Sequence, residues 1–298
     1  MIWPAAVTPF DDRGRIDFVS LARLLAFFEA AGCDGVVLAG TNGEGPSLAA
    51  VEKRDLLRES VRLRGKLKVI LGLGTNSLVE AVWLTKRAEE FGATAALALP
   101  PSFFPPTAGT GLRDWYLQLM DQSPVPILVY HHPAMVRHEL SPEHLAEVAQ
   151  HPLFAGIKAS SGFDVGLATW PGVFPDKLLL MGDESRLVDA LAAGWSGSIS
   201  GCANLIPHWL VATERDFVED PEAGRRKLEL LRPVMAAMRQ AGMPSVLKGV
   251  LAGWRILDNP AVRVPLEARD HESVRQLLED QLGMSAANLG LPRPLAAT

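Results

Sequence analysis

Eight short apolar runs punctuate the chain: IWPAAVT (2–8), GVVLAG (35–40), VILGLG (69–74), AALALP (95–100), PILVYH (126–131), FAGIKAS (154–160), LLLMGD (178–183) and GSISGC (197–202). Runs with no polar alternation are expected of strands in a parallel sheet covered on both faces. The segments between them follow a different period. In FVSLARLLAFFEAAG, Leu21, Leu24, Leu25 and Phe28 recur at helical spacing, and Gly32 sits where a C-cap belongs. SLAAVEKRDLLRESVRLRG behaves alike, with Ser47 as the expected N-cap and Gly65 after the last turn. Strand and helix in eightfold alternation predict an α/β fold, a (β/α)8 TIM barrel. A doubly wound sheet is the alternative, but it would favour a Gly-rich turn after the first strand, and VTPFDDRG (7–14) is no such turn.

The eighth run ends near residue 202 and its helix is expected to end near 217. Helical periodicity continues over 222–241, 244–257 and 267–281. The chain therefore divides into a barrel carrying the active site (1–217) and a C-terminal helical extension (218–298), with no low-complexity linker between them.

Composition narrows the function classes. With 298 residues, 48% hydrophobic and 21% charged, the chain has ample material for a core of this size. A net charge of −5 with acids and bases interspersed excludes the basic surface of a nucleic-acid binder. Cys33 and Cys202 lie too far apart for a disulfide framework or zinc spacing, which fits a reduced, cytoplasmic setting. MIWPAAVTPFDDRG lacks the pattern of a signal peptide, and no apolar stretch reaches the roughly 18 residues of a membrane span. The expectation is a soluble intracellular protein with no membrane and no nucleic-acid partner.

In a barrel of this type the chemistry lies at the C-terminal ends of the strands. There the sequence collects GTNGEG (40–45), Tyr130, Lys158, Gly182–Asp183 and Ser200–Gly201. Tyr130 and Lys158 occupy matching positions on consecutive strands, which run about 4.8 Å apart. Desolvation by neighbours such as Ile157 would favour the free amine of Lys158, the form that attacks a ketone or aldehyde to give a Schiff base. A phenol beside it can shuttle protons to the carbinolamine and the product oxygen. The strand alone leaves open a structural lysine paired with a carboxylate at the rim. AGTNGEGPS offers backbone N–H groups, the Thr41 and Asn42 side chains and glycines such as Gly43, a turn suited to a carboxylate or phosphate. Glu44 fits a structural role, tying that loop down through backbone N–H groups. His131 and His132 point to opposite faces of a strand, so they do not make a metal site. No metal and no dissociable cofactor is expected.

Taken in order, VTPF (7–10), GTNGEG, VYHHP (129–133), GIKASSG (156–162) and GSISGCAN (197–204) resemble the signatures of the pyruvate-dependent class I aldolase family, which includes dihydrodipicolinate synthase and N-acetylneuraminate lyase. The resemblance covers roughly residues 1–210. It implies a (β/α)8 barrel with extra C-terminal helices, assembled as a homo-oligomer (dimer or tetramer), that forms or cleaves a 2-oxo acid through a pyruvate imine. By motif position Lys158 is the Schiff-base lysine, Tyr130 transfers protons, Thr41 acts with it, and Thr41, Asn42, Gly43, Gly182 and Ser200 bind the substrate.

Three departures bear on the substrate. Asn42 replaces the second hydroxyl residue of the family's GTTGE. Met135 stands where synthases of this family usually carry an arginine, and Arg137 is two places further on. PSFFPP (101–106) offers Phe103 or Phe104 where many members have a tyrosine donated across the dimer. GEGPS and ANLIP are closer to the 2-keto-3-deoxygluconate aldolase branch. The preferred reading is thus a lyase acting on a 2-keto-3-deoxy sugar acid. The alternatives are a 4-hydroxy-tetrahydrodipicolinate synthase and a non-catalytic 2-oxo-acid-binding protein.

Overall fold

A computed structural model describes residues 1–104, 109–136, 140–160 and 164–289, with the side chains of Asp164 and Val165 excepted. Arg137, and the Ser161 and Gly162 of the GIKASSG motif, lie outside the described residues. The strands are β1 (Ile2–Pro4), β2 (Gly35–Leu38), β3 (Lys68–Gly72), β4 (Ala95–Ala98), β5 (Ile127–His131), β6 (Phe154–Ala159), β7 (Leu178–Met181) and β8 (Gly197–Ser200). Every pairing between them is parallel, in the order β1-β8-β7-β6-β5-β4-β3-β2. A bridge between Ala5 and Val37, with the Ala6 N–H donating to Val37 O at 3.0 Å, closes the sheet into a barrel. The chain is a TIM barrel with C-terminal helices, as the apolar runs predict.

Alternate residues of each strand point to two different cores. Trp3, Val37, Ile70, Leu97, Leu128, Leu180 and Ile199 fill the barrel interior. Their neighbours Val36, Leu38, Val69, Leu71, Ile127, Ile157 and Leu179 pack outward under the helices. The strands are apolar on both faces because both faces are buried.

The surrounding helices are α1 (Phe18–Ala30), α2 (Ala50–Leu63), α3 (Leu78–Phe91), α4 (Thr110–Gln122), α5 (Pro133–Val136), α6 (Pro142–Ala149), α7 (Asp164–Val173), α8 (Leu187–Ala192) and α9 (Pro207–Glu219). Side-chain caps set several of their starts: Asp17 accepts from the backbone of Val19 and Ser20, Ser77 from Glu80, and Ser141 from His144. The expected Ser47 cap does not form. Residues Gly45–Ser47 make a 3-10 turn, α2 begins at Ala50, and Glu52 reaches back to accept from the Ala49 N–H at 2.9 Å.

The extension consists of α10 (Pro221–Ala241), α11 (Ser245–Gly253) and α12 (Glu272–Leu282). Asp220 closes α9 and caps α10, so the last barrel helix and the first extension helix meet at one residue. The extension packs on the barrel with Leu228, Leu231, Val246, Leu247 and Val250, all buried in the outer core. Among the described residues no helix is long and apolar enough to cross a membrane.

Candidate active site

Two adjacent strands bring Tyr130 and Lys158 together. The β5–β6 register pairs Tyr130 with Lys158 directly, and both side chains point into the barrel mouth because Leu128 below Tyr130 lies in the interior core. Lys158 Nζ lies 4.1 Å from the centroid of the Tyr130 ring. Both residues are buried, at 7% and 5% exposure. An ammonium over a desolvated aromatic face gains about 2 kcal/mol.

The phenol is surrounded by donors. Ser160 Oγ lies 3.5 Å from the Tyr130 hydroxyl, and the side chains of Thr41 and Lys158 also bond it. Burial alone would disfavour the phenolate and raise the pKa of Tyr130. The charge of Lys158, with the Ser160 and Thr41 hydrogen bonds, outweighs it and holds the phenol below its ordinary value. Ser160 was not among the residues expected from sequence. The small-residue run after Lys158 is its signal, since a strand leaving a crowded barrel mouth has room only for short side chains.

The loop after β2 carries Thr41, Asn42 and Gly43, and two non-glycine residues in glycine's usual territory frame it. Ala39 has φ 50° and Glu44 φ 55°, in the left-handed region that L-residues rarely adopt. The loop is correspondingly tight. A Cβ on Gly43 would fall 2.9 Å from Ala6 O, and one on Gly45 only 1.9 Å from Ala39 O. Thr8 Oγ1 donates to Gly43 O at 2.6 Å, fixing the turn to the segment after β1. Thr41 Oγ1 reaches Met135 Sδ at 4.0 Å.

Gly182 is tied to the same place: its N–H donates to Ala159 O at 2.6 Å, and a Cβ there would overlap Ser160 Oγ. Ser200 is not brought to this group. It follows Ile199, which points inward, so its side chain turns to the outer layer, where its hydroxyl accepts from the Ala203 N–H at 3.0 Å. The neighbouring Gly201 is the residue that approaches Asn42, whose Nδ2 lies 2.6 Å from where a Cβ on Gly201 would be.

Glu44 is structural, but its ties run elsewhere than to its own loop. One carboxylate oxygen pairs with Lys248 Nζ of α11 and the other accepts from the backbone N–H of Arg263 at 2.8 Å. Both side chains of the Glu44–Lys248 pair are completely buried. The histidines separate as strand alternation requires. His131 packs edge-on against Trp170 at 5.6 Å, and His132 lies 5.7 Å from the Tyr130 ring. Burial, and then the charges of Lys158 and His131, push His132 below its ordinary value. Among the described residues no group of three His, Cys, Asp or Glu side chains is placed to hold a metal ion.

At the end of β7, Asp183 Oδ1 accepts from Arg239 Nη2 of α10 at 2.5 Å and from Ser185. Burial alone would raise Asp183, but the Ser185 hydrogen bonds and the Arg239 charge hold it below the usual carboxylate range.

A buried amine against a phenol, beside a tight turn rich in N–H groups, can form an imine with a 2-oxo acid and move protons around it. The model of the dihydrodipicolinate synthetase family matches residues 1–282. The 4-hydroxy-tetrahydrodipicolinate synthase of Synechococcus sp. (strain JA-2-3B'a(2-13)) is 31% identical over 293 residues, 96% of this chain and 94% of that protein. A dihydrodipicolinate synthase from Acinetobacter baumannii, solved in complex with pyruvate, superposes with a TM-score of 0.87 at 26% identity, covering 94% of this chain and 97% of that one. A catalytic lysine mutant of the Ruminococcus gnavus sialic acid aldolase has the same fold, with a TM-score of 0.88 at 20% identity over 95% of this chain and 96% of that one.

Proposed function

The chain belongs to the dihydrodipicolinate synthetase family, and from that premise we propose that Lys158 forms an imine with pyruvate, or with a 2-oxo acid cleaved to pyruvate. The family's chemistry is that of class I aldolases and lyases, and this chain is an enzyme of that type. The single observation that carries the assignment to particular residues is the juxtaposition of Lys158 Nζ and the Tyr130 ring at 4.1 Å, with Ser160 Oγ 3.5 Å from the phenol hydroxyl.

In this mechanism Lys158 passes its proton to the Tyr130 phenolate, and the free amine attacks the C2 carbonyl. The new C–N bond gives a carbinolamine, and loss of water then gives the imine. Tyr130 delivers the proton that the departing oxygen needs; in the cleavage direction it then takes a proton from the hydroxyl that becomes the aldehyde carbonyl, and in the condensation direction it gives the aldehyde oxygen a proton taken from C3 of the imine. Thr41 fixes the phenol, while the Asn42 side chain and the N–H groups of the turn around Gly43 hold the substrate carboxylate. Gly182 leaves the space that the Ser160 hydroxyl fills beside that phenol. No dissociable cofactor takes part, because the imine nitrogen itself serves as the electron sink.

For the substrate, we favour a 2-keto-3-deoxy sugar acid. Met135, whose thioether lies against Thr41, presents no cation for a second carboxylate. The second reading, 4-hydroxy-tetrahydrodipicolinate synthase, is supported by the function named for relatives about 30% identical. The reaction takes place in the cytoplasm and in a homo-oligomer on this reading.

Borohydride reduction with pyruvate, followed by peptide mass spectrometry, tests the assignment. An adduct is expected on the peptide containing Lys158, and none in a folded Lys158→Ala variant. Continued trapping in that variant would refute it. Turnover of 2-oxo sugar acids against a carboxylate-bearing aldehyde separates the two substrate readings, and trapping without turnover of either would favour a binder.

A further inference from the structure

The turn that presents Thr41 and Asn42 is held from outside the barrel. Glu44 closes that turn in a left-handed conformation, and two residues of the C-terminal extension grip its two carboxylate oxygens. Lys248 supplies a fully buried ammonium, which also donates to Ala261 O at 2.8 Å and lies 4.0 Å over the Phe10 ring. Arg263 supplies its backbone N–H to Glu44. Its guanidinium meanwhile spans Glu52 of α2, Gly14 O at 2.7 Å and Ser47 O at 2.9 Å. The segment from Ala39 to Ser47 is thus clamped at its far end by groups that touch no substrate.

We propose that Lys248 is a positioning residue for the reaction: through Glu44 it holds the turn around Thr41 and Asn42 in the conformation that receives the 2-oxo acid carboxylate. The inference rests on the reading of the site given above. A left-handed non-glycine residue persists only where its surroundings over-determine it, and at a ligand-binding turn such strain is stored preorganisation. Without the ammonium, the carboxylate of Glu44 is left buried beside a single N–H. It then relaxes toward water, and the turn loosens with it.

The pair is also poised to respond to pH. Burial, opposed by Glu44 and reinforced by Arg263, lowers Lys248 to about 8. The charged groups facing it are Glu44 from the turn and Arg263, which is itself paired with Glu52. His271 packs over Gly249, the next position along α11. Lys248 is therefore charged below that pH and loses its hold on Glu44 above it.

The test compares wild type with Lys248→Met and with Glu44→Gln/Lys248→Met, reading thermal unfolding and the pyruvate concentration for half-maximal imine trapping. Lys248→Met is expected to raise that concentration at neutral pH, by up to the roughly 10²-fold that a small misplacement of a positioning group can cost. The ratio to wild type should then shrink as pH rises through about 8. The double variant, which leaves no buried charge unpaired, should recover melting temperature without recovering the half-saturation point, the separation that a merely structural role would not produce. Equal half-saturation in wild type and Lys248→Met overturns the proposal. Amide exchange over residues 39–48 judges it independently of imine chemistry: faster exchange there in Lys248→Met is expected, and unchanged protection overturns it. A wild type that traps no pyruvate would refute the reading of the site instead, and the exchange result would still decide the clamp.

Discussion

Removal of the Lys158 charge should be visible at Tyr130 without any substrate. The protein has two tyrosines, Tyr116 and Tyr130. Tyr116 is fully buried with its hydroxyl on Ala98 O at 3.0 Å, and burial pushes its ionisation far above the ordinary range. The ultraviolet difference titration of the folded protein should therefore report one phenol, that of Tyr130. In the wild type its midpoint should fall below the ordinary tyrosine value of about 10.

Replacing Lys158 by Met keeps the length of the side chain and removes the cation 4.1 Å from the ring centroid. Coulomb's law makes that charge worth about 1 kcal/mol in bulk water and about 4 kcal/mol at an effective dielectric near 20. Tyr130 is 5% exposed, so the larger figure applies. At about 1.4 kcal/mol per factor of ten, the ionisation constant of the phenol should fall more than tenfold in Lys158→Met, and the midpoint should move to higher pH. The sign follows because the lost interaction favours the phenolate, while the burial that remains opposes it. A wild-type midpoint at or above 10, or a midpoint unmoved by the substitution, would refute the electrostatic coupling of the two groups.

Two further outcomes are expected. Tyr130→Phe should lower turnover by about 10²–10⁴-fold, the usual worth of a general acid–base group, while pyruvate trapping at Lys158 persists; steady-state rates beside borohydride trapping check this. Arg239→Gln should move the acid unfolding midpoint to higher pH. Asp183 is held below its ordinary value, so its contribution is present above the unfolded carboxylate value near 4 and lost as pH falls through the folded one. Without Arg239 that window narrows, which acid titration by circular dichroism would register.

The barrel was legible because parallel strands buried on both faces leave an unambiguous mark. Seven of the eight strands lie within the apolar runs, β3 starts one residue ahead of its run at Lys68, and each begins within one residue of its run. Most stop short of the run's end. At β2 the reason is Ala39, whose left-handed φ turns the chain two residues early, and alanine carries no local signal for that conformation. Tyr130 and Lys158 were legible for the same reason as the strands, since matching positions on neighbouring strands are neighbours in space. Strand alternation was also enough to turn Ser200 outward once Ile199 is taken as interior, so that misplacement reflects an unused signal rather than a hidden one. The Ser47 cap failed because the chain is still completing the 3-10 turn when α2 is due to start. The partners of Glu44 were beyond local reading altogether: Lys248 sits in an apolar helix with no periodic or motif cue that it reaches the loop after β2.

Glu44 and Lys248 are separated by 204 residues of sequence. A ribosome adding about 5–20 residues per second needs about 10–40 s to travel from one to the other. During that interval the nascent chain acquires β3 to β8, ending at Ser200, while the turn around Thr41 and Asn42 still lacks its anchor. The order of manufacture thus runs opposite to the order of use: one of the earliest loops to leave the ribosome is finished by one of the last helices. A fragment halted after the eighth strand would hold Lys158 and Tyr130 and yet lack Lys248 and Arg263, the partners of Glu44. On the clamp proposed above, activity is a property of the completed polypeptide rather than of the barrel alone.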